Sequence, residues 1–263
     1  MGAILAGAVL AIAPARAVLT YAEDDVLLGF YATGGQGSSQ SYVVNLGQAS
    51  IYRDYTGSFF DLSVGNIGAD LTAVYGSDWN TRSDVFWGVF AANYNTVVGS
   101  DPANTLYAGK PRSDIAIPAD AYNRGSASTQ SGPASRIHSL GGLFSSGQTS
   151  ATANSSVATI QDSSLNNDFA QFQDAVLSTS FSYFNGALGN FGSGASGTAL
   201  DFFRMPTGSS GLLGTQEGTF TISNAGVVRF TAAAVPEPSI LLLGMIAAGA
   251  LGVIGVRRRL TQG

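Results

Sequence analysis

The C-terminal stretch 235–260, which reads VPEPSILLLGMIAAGALGVIGVRRRL, constrains this chain more than any other part of its sequence. The run 239–256 carries no charge and no proline, and it consists mostly of Leu, Ile, Ala and Gly. As a helix with a rise of about 1.5 Å per residue, the run spans about 27 Å, close to the hydrocarbon thickness of a bilayer. We therefore predict a single transmembrane helix at 239–256.

Short motifs flank this run on both sides. Pro236, Glu237 and Pro238 precede it, and each proline fixes its own φ and favours an extended conformation in the residue before it. A cluster of arginines follows the run as a membrane stop: Arg257, Arg258 and Arg259. Because positive charge stays on the cytoplasmic side, the bulk of the chain is expected outside the cytoplasm.

The order of these parts resembles the PEP-CTERM sorting signal of bacteria that produce exopolysaccharide. The resemblance covers about 25 residues, and it implies that an exosortase, a membrane cysteine protease, processes the tail. It also implies passage to the cell surface or the extracellular matrix, with Pro236, Glu237 and Pro238 as the sorting motif. The alternative is an ordinary C-terminal membrane anchor.

The N-terminal residues 1–17 have the pattern of a signal peptide. An apolar run at 3–13 is followed by Ala15 and Ala17, which fit the small-x-small rule for cleavage. A basic segment before the apolar run is missing, and a buried apolar element is the alternative. We expect export by Sec-type machinery and a mature chain that begins near Val18.

Between the two signals the chain is acidic and free of cysteine. Residues 18–235 hold eight Lys and Arg against 16 Asp and Glu, which leaves a net charge of −8. Disulfides, thiolate metal sites and cysteine nucleophiles are therefore excluded, and a nucleic-acid partner is not expected. No cofactor is expected either, although Asp side chains and backbone carbonyls leave calcium open.

The segment 18–234 is predicted to form one exported β-rich domain, either a β-sandwich or a jelly-roll-like fold with one or two helices. An α+β sheet with a covering helix is the alternative. Apolar runs between glycine-rich turns predict strands at 26–32, 41–46, 84–92 and 105–108 and a closing hairpin at 218–231. Helices are expected at 66–75, with Asn66 as N-cap, and at 164–177. The low-complexity stretch 125–156 is interpreted as a surface excursion.

No catalytic constellation is evident in this domain. His138, the only histidine, lies in the low-complexity stretch and is expected to be a solvent-exposed loop residue. Residues 192–197 match Gly-x-Gly-x-x-Gly, which binds nucleotides only between a strand and a helix and with an acid about 20 residues further on. The glycine-rich surroundings and the expected export do not favour nucleotide binding here. The carboxylates that could form a hydrolytic pair show no diagnostic spacing: Glu23, Asp24, Asp25, Asp54, Asp61, Asp78, Asp84 and Glu217.

Aromatic residues suggest one possible contact with sugars. Trp79 stands between Asp78 and Asn80 and is the candidate for an exposed platform that stacks on a glycan, whereas Trp87 is expected in the core. Three functions follow from the sequence. The first is a non-enzymatic structural or interaction protein of the exopolysaccharide or biofilm matrix. The alternatives are a carbohydrate-binding module and a polysaccharide-acting hydrolase.

Overall fold

The computed structural model describes residues 19–146, 157–165, 168–170, 187–208 and 211–233. Its strands are β1 Asp25–Ala32, β2 Gln40–Gln48, β3 Phe59–Asp61, β4 Val85–Ala92, β5 Leu106–Pro111, β6 Ala158–Asp162, β7 Gly189–Asn190, β8 Ala199–Met205, β9 Thr215–Ile222 and β10 Val228–Ala232. Its α-helices are α1 Ala49–Arg53, α2 Ile67–Tyr75 and α3 Ala127–Ser145. Two 3₁₀ segments lie at Trp79–Thr81 and Phe191–Thr198.

The described strands form one antiparallel sheet. Nine of them follow one another in the order β3-β10-β9-β8-β5-β4-β1-β2-β6, and β7 pairs with the start of β4. The prediction of a mainly β domain is confirmed. A sandwich or jelly roll needs two sheets, however, and all the described strands belong to one, so that part of the prediction is corrected.

Both faces of this sheet are buried. In β4 the side chains of Trp87 and Val89 pack in the first core, on one face of the sheet. The side chain of Phe90 points to the opposite face and packs in the second core. The first core also contains α1 and α2, whereas the second is covered by α3. Because a central strand that is apolar on both faces needs cover on both sides, these helices replace the second sheet that the sequence suggested.

The ring of Tyr52 on α1 shows that the sheet curves into a half-barrel around the first core. Its centroid lies 5.1 Å from that of Phe220 on β9 and 5.0 Å from that of Phe230 on β10. Its hydroxyl donates to the carbonyl of Leu46 on β2 at 2.8 Å. Strands β2 and β9 are separated by β1, β4, β5 and β8 in the sheet. One side chain can reach both only if the sheet bends.

The locally encoded elements lie where the sequence predicts them. The first hairpin pairs β1 with β2, β4 is central, and β9 pairs with β10 across the predicted closing turn. Helix α2 begins after Asn66, whose side chain accepts a hydrogen bond from the amide of Ala69 at 3.1 Å. It ends at Gly76, whose φ of 94° suits glycine.

We expect Asn66→Ala to lower the free energy of unfolding by about 1 kcal/mol, because the substitution leaves a helical amide without its acceptor. Urea unfolding of the 18–235 domain would measure the loss. Asn66→Asp keeps an acceptor at the same place and serves as the control, with an expected change of only a few tenths of a kcal/mol. Equal losses in the two variants would contradict the capping role.

Helix α3 corrects the interpretation of 125–156 as a surface excursion. Residues 127–145 are helical, and Ile137, Leu140 and Phe144 pack on the sheet. Small residues concealed this apolar stripe. Gly141, for instance, leaves room for the ring of Tyr21, which a Cβ would approach to 2.4 Å. Ser126 caps the helix by accepting from the amide of Thr129. Residues 147–156 lie outside the described part of the chain.

Other predictions fall partly or wholly outside the described residues. They are the signal peptide 1–17, most of the helix at 164–177, and the tail 235–260 with its membrane span. From the predicted helix 164–177, the described Phe169 packs against the sheet at Gly29, where a Cβ would lie 2.2 Å from its ring. None of the helices in the described ranges is long and apolar enough to cross a bilayer.

Candidate functional site

A buried ion-pair network centres on Asp101, in the turn between β4 and β5. Its carboxylate is completely buried and accepts from Arg53 Nη1 at 2.5 Å and from Arg204 Nε at 2.6 Å. The hydroxyl of Tyr107 donates to the same carboxylate at 2.7 Å. The chain therefore joins α1, β5 and β8 at one buried acid. We call Asp24, Arg53, Asp101, Tyr107, Arg204 and Glu217 the Asp101 cluster.

Asp24 is the anomalous member of this cluster. It is fully buried, and within the described part of the chain neither of its carboxylate oxygens accepts a hydrogen bond. Its φ of 72° is left-handed, a conformation that Asp and Asn adopt more readily than most residues. Burial raises the pKa of Asp24 to about 8, and the nearby Asp101 carboxylate adds to the rise against the opposing effects of Arg53 and Arg204. Near neutral pH this side chain is therefore mainly protonated.

Glu217 brings a second carboxyl group to the edge of the cluster. Between Phe202 and Phe203 on β8, the partners on β9 pass from Gly218 to Gln216, so that Glu217 is the extra residue of a β-bulge. Its side chain is half-buried. Burial raises the pKa of Glu217 to about 7, although Arg204 opposes the shift. A carboxyl group with this pKa can exchange protons near neutral pH, which general acid–base chemistry requires.

The adjacent acids Glu23, Asp24 and Asp25, named above among the possible hydrolytic carboxylates, are attached to three different parts of the fold. Glu23 Oε2 accepts from the amide of Tyr94 at 2.7 Å. Asp24 enters the Asp101 cluster. Asp25 Oδ2 accepts from Asn45 Nδ2 at 2.8 Å. Glu23 and Asp24 lie in a turn and Asp25 begins β1, and the three adjacent acids have separate partners, which composition alone does not reveal.

His138 is solvent-exposed, as predicted, although its place in the fold differs from the prediction. It lies on α3 rather than in a loop, its side chain is 48% exposed, and its Nδ1 contacts Glu23 Oε1. The rings of Tyr21 and Tyr94 lie 6.3 Å and 5.5 Å from the imidazole, centroid to centroid. The contact between His138 and Glu23 connects the segment before β1 to α3, the helix that covers the second core.

The remaining candidate carboxylates do not converge on one place. Asp54 pairs with Arg53 at the exposed rim of the Asp101 cluster, where its side chain is 64% exposed. Asp61 pairs with Arg229, and Asp84 with Arg82. Asp101, Arg53 and Arg204, which organise the site, form no motif that could be recognised in the sequence.

A second buried acid, Asp201 on β8, has a full set of donors. Arg112 Nε and Nη2 donate to it at 3.0 Å and 2.7 Å, and Thr219 Oγ1 donates at 2.7 Å. The amide of Ala119 adds a further bond at 2.7 Å. This arrangement fastens the loop after β5 to the sheet, so we assign Asp201 a structural role.

Trp79 is not an exposed platform. Its side chain is only 2% exposed, and its ring meets that of Phe191 edge to face with centroids 5.0 Å apart. The flanking polar residues suggested exposure, but tertiary packing covers the indole. Because a sugar ring can stack only on an accessible aromatic face, we withdraw Trp79 as a glycan contact.

The Gly-x-Gly-x-x-Gly match at 192–197 belongs to the 3₁₀ segment after β7. The carbonyl of Gly197 accepts from Trp87 Nε1 at 2.7 Å. A Cβ on Gly197 would lie 1.8 Å from the carbonyl oxygen of Asn190. These glycines allow close backbone packing, whereas a nucleotide loop would need an α-helix that begins after the motif.

Across the described ranges, no group of three or more His, Cys, Asp or Glu side chains is arranged to hold a metal ion. In the Asp101 cluster, two guanidinium groups already occupy the fully buried carboxylate. The cluster can bind and release protons through Asp24 and Glu217, and it can hold distant strands together.

The comparison with protein families concerns the other end of the chain. A family model described as the PEP-CTERM protein-sorting motif matches residues 234–259. This range contains Pro236, Glu237 and Pro238 and extends to the arginine cluster, so the resemblance seen in the sequence is confirmed. Searches of curated proteins and of solved structures found no match.

The chain therefore carries a PEP-CTERM sorting signal after its folded domain. The motif marks an exported protein that is anchored in the membrane through its C-terminal signal and then processed to the cell surface. Its partners accordingly include an exosortase and the export machinery.

Proposed function

We propose that the mature domain is a non-enzymatic structural or interaction protein of the exopolysaccharide or biofilm matrix. The observation that carries this proposal is the sorting motif at 234–259, which directs the domain to the surface where such a matrix is assembled. The signal peptide 1–17, with cleavage after Ala17, and the span 239–256 complete the proposed route. In the mature state the domain would carry neither segment.

The described charges support a structural role for the domain. Arginines on α1, β5, β8 and β10 or in their adjoining loops pair with aspartates from distant parts of the chain: Arg53, Arg112, Arg204 and Arg229. These pairs connect elements that are distant in the sequence, in a chain that has no cysteine. Burial of Trp79 meanwhile removes the side chain on which the carbohydrate-binding alternative rested.

The sorting step is tested by Glu237→Ala and by deletion of Arg257–Arg259 in the native host. We expect either change to abolish tail processing and to leave the protein in the membrane, because the motif would no longer be read or positioned. Cell fractionation and the C-terminal mass of the mature chain are the measurements.

The matched control replaces Arg257, Arg258 and Arg259 together by lysine, which keeps the positive charge that positions the span. This variant should be processed normally. Unchanged processing and surface location in both Glu237→Ala and the arginine deletion would contradict the sorting proposal.

The non-enzymatic proposal has a separate test. The purified 18–235 domain should co-sediment with exopolysaccharide from its host and release no reducing ends during prolonged incubation. Glu217, half-buried on its bulge, is the carboxyl group to change if hydrolysis occurs. Release of reducing ends that Glu217→Gln abolishes would replace the matrix proposal by the hydrolase alternative.

A further inference from the structure

The Asp101 cluster contains a fully buried carboxyl group, that of Asp24, which the described donors leave unsatisfied. Asp101 receives the bonds from Arg53, Arg204 and Tyr107, whereas neither oxygen of Asp24 has a donor among the residues that the structure describes. An unpaired carboxylate at a fully buried position would be strongly destabilising. The site therefore needs either a proton or a cation that the protein side chains do not supply.

Backbone hydrogen bonds fix the position of Asp24 in the Asp101 cluster. Its amide donates to the carbonyl of Ala92 at 2.9 Å, and its carbonyl accepts from the amide of Ala49 at 2.8 Å. The next residue after Ala92 is Asn93, whose Nδ2 donates to the carbonyls of Asp101 and Pro102. Its Oδ1 accepts no hydrogen bond from the residues that the structure describes. Asp24 thus lies beside β4 and α1 and faces the Asp101 turn.

We propose that Asp24 and Asp101 share one proton, so that attachment of the segment 19–25 to the sheet depends on pH. Asp24 as a neutral acid donates to the carboxylate of Asp101, which also accepts from the guanidinium groups of Arg53 and Arg204. One proton neutralises the buried charge of Asp24 and supplies the hydrogen-bond donor that the two carboxyl groups lack. Two carboxyl groups in contact hold a single proton in this way because both cannot ionise at little cost.

The charged and titratable groups around Asp24 come from every element packed against it. They are Asp101 in the β4–β5 turn, Arg53 at the end of α1, Arg204 on β8, Tyr107 on β5 and Tyr21 in the same segment. The two arginines favour ionisation of Asp24, whereas burial and Asp101 oppose it more strongly, which places its pKa near 8.

The direction of the pH effect on stability follows from the raised pKa of Asp24 in the folded protein. Asp24 has a pKa near 4 in the unfolded chain and about 8 in the folded one, so its contribution to stability is complete below pH 4. The contribution is lost as pH rises to 8. Over that window the equilibrium constant for unfolding should rise up to tenfold per pH unit through this one group.

The variant Asp24→Asn tests the proposal on the 18–235 domain, because Asn tolerates the left-handed φ and donates to Asp101 at every pH. Unfolding in urea from pH 5 to pH 9 should show a pH dependence that is weaker in the variant by up to one proton. At pH 9 the variant should be the more stable protein. Hydrogen exchange of the segment 19–32 should also slow, relative to the wild type, by tenfold or more at pH 9.

Asp54→Asn is the matched control, since Asp54, like Asp101, pairs with Arg53 but is mostly exposed. It should leave the wild-type pH dependence in place. Parallel pH profiles for the wild type and Asp24→Asn would overturn the proposal. Stabilisation of the wild type by 1 mM Ca²⁺ at pH 8, absent in Asp24→Asn, would overturn it as well, because a cation would then occupy the free oxygens.

A measurement on the unmodified domain keeps the proposal testable if the variant does not fold. The carbon-13 NMR signal of the Asp24 carboxyl should keep its protonated chemical shift at pH 6. An ionised chemical shift for Asp24 at that pH would contradict the shared proton.

Discussion

Asp101→Ala should lower the free energy of unfolding by about 3–5 kcal/mol, the typical cost when one partner of a buried ion pair is removed. The substitution leaves Arg53 and Arg204 without their common carboxylate and the Tyr107 hydroxyl without its acceptor. Urea unfolding at pH 6, followed by tryptophan fluorescence and by circular dichroism, would measure the loss. We expect the two probes to report one coincident transition at a lower urea concentration.

Asp54→Ala is the control for that prediction because it removes an acid from the same guanidinium group, Arg53. Asp54 is exposed, and solvent screens its ion pair, so the expected loss is below about 1 kcal/mol. A similar small loss in Asp101→Ala would mean that the buried network is not a principal tie between α1, β5 and β8.

Trp87→Ala should have an effect of comparable size, about 3–5 kcal/mol, because it empties the largest buried position on the central strand β4. The indole stacks with Phe30 at 6.3 Å and with Phe191 at 6.2 Å between centroids. It also holds the 3₁₀ segment through the hydrogen bond to the Gly197 carbonyl. Thermal unfolding by circular dichroism would report the loss as a lower midpoint.

Trp87→Phe separates packing from hydrogen bonding. The phenyl ring keeps most of the stack and loses the indole N–H, so the Gly197 carbonyl is left without its donor at a cost of about 1–3 kcal/mol. Equal effects of the two substitutions would show that the hydrogen bond, rather than the ring, accounts for the contribution of Trp87.

Elements whose signals are local could be predicted from the sequence. The β1–β2 and β9–β10 hairpins have apolar runs on both sides of a short turn, and α2 has its cap and its glycine stop within a dozen residues. Helix α3 was missed because its buried stripe includes Ala134 and Gly141 and because Gln130 is a core residue. The Gln130 side chain donates to the carbonyls of Asn104 and Met205, partners that no helical periodicity predicts.

The candidate site was only partly predictable for a related reason. Asp24, Arg53, Asp101, Arg204 and Glu217 come from separate elements, and they meet because β1, β4, β5, β8 and β9 are neighbours in the sheet. Their spacing in the chain therefore carries no pattern. The sorting motif, in contrast, could be predicted from the sequence. Its residues form one contiguous segment and stand in a fixed order.

The pairing of β3 with β10 constrains the time course of folding. Asp61 and Arg229 on these strands form an ion pair although 168 positions separate them. The pairing of β5 with β8 likewise joins distant parts of the chain. The entropic cost of closing such long loops arises before the stabilising contacts between the strands can form. Sheets of this type therefore fold slowly. Because β10 comes immediately before the sorting motif, the half-barrel cannot be completed until nearly the whole domain has been synthesised. We therefore expect the chain to remain incompletely folded until β10 has been synthesised, which favours its passage across a membrane.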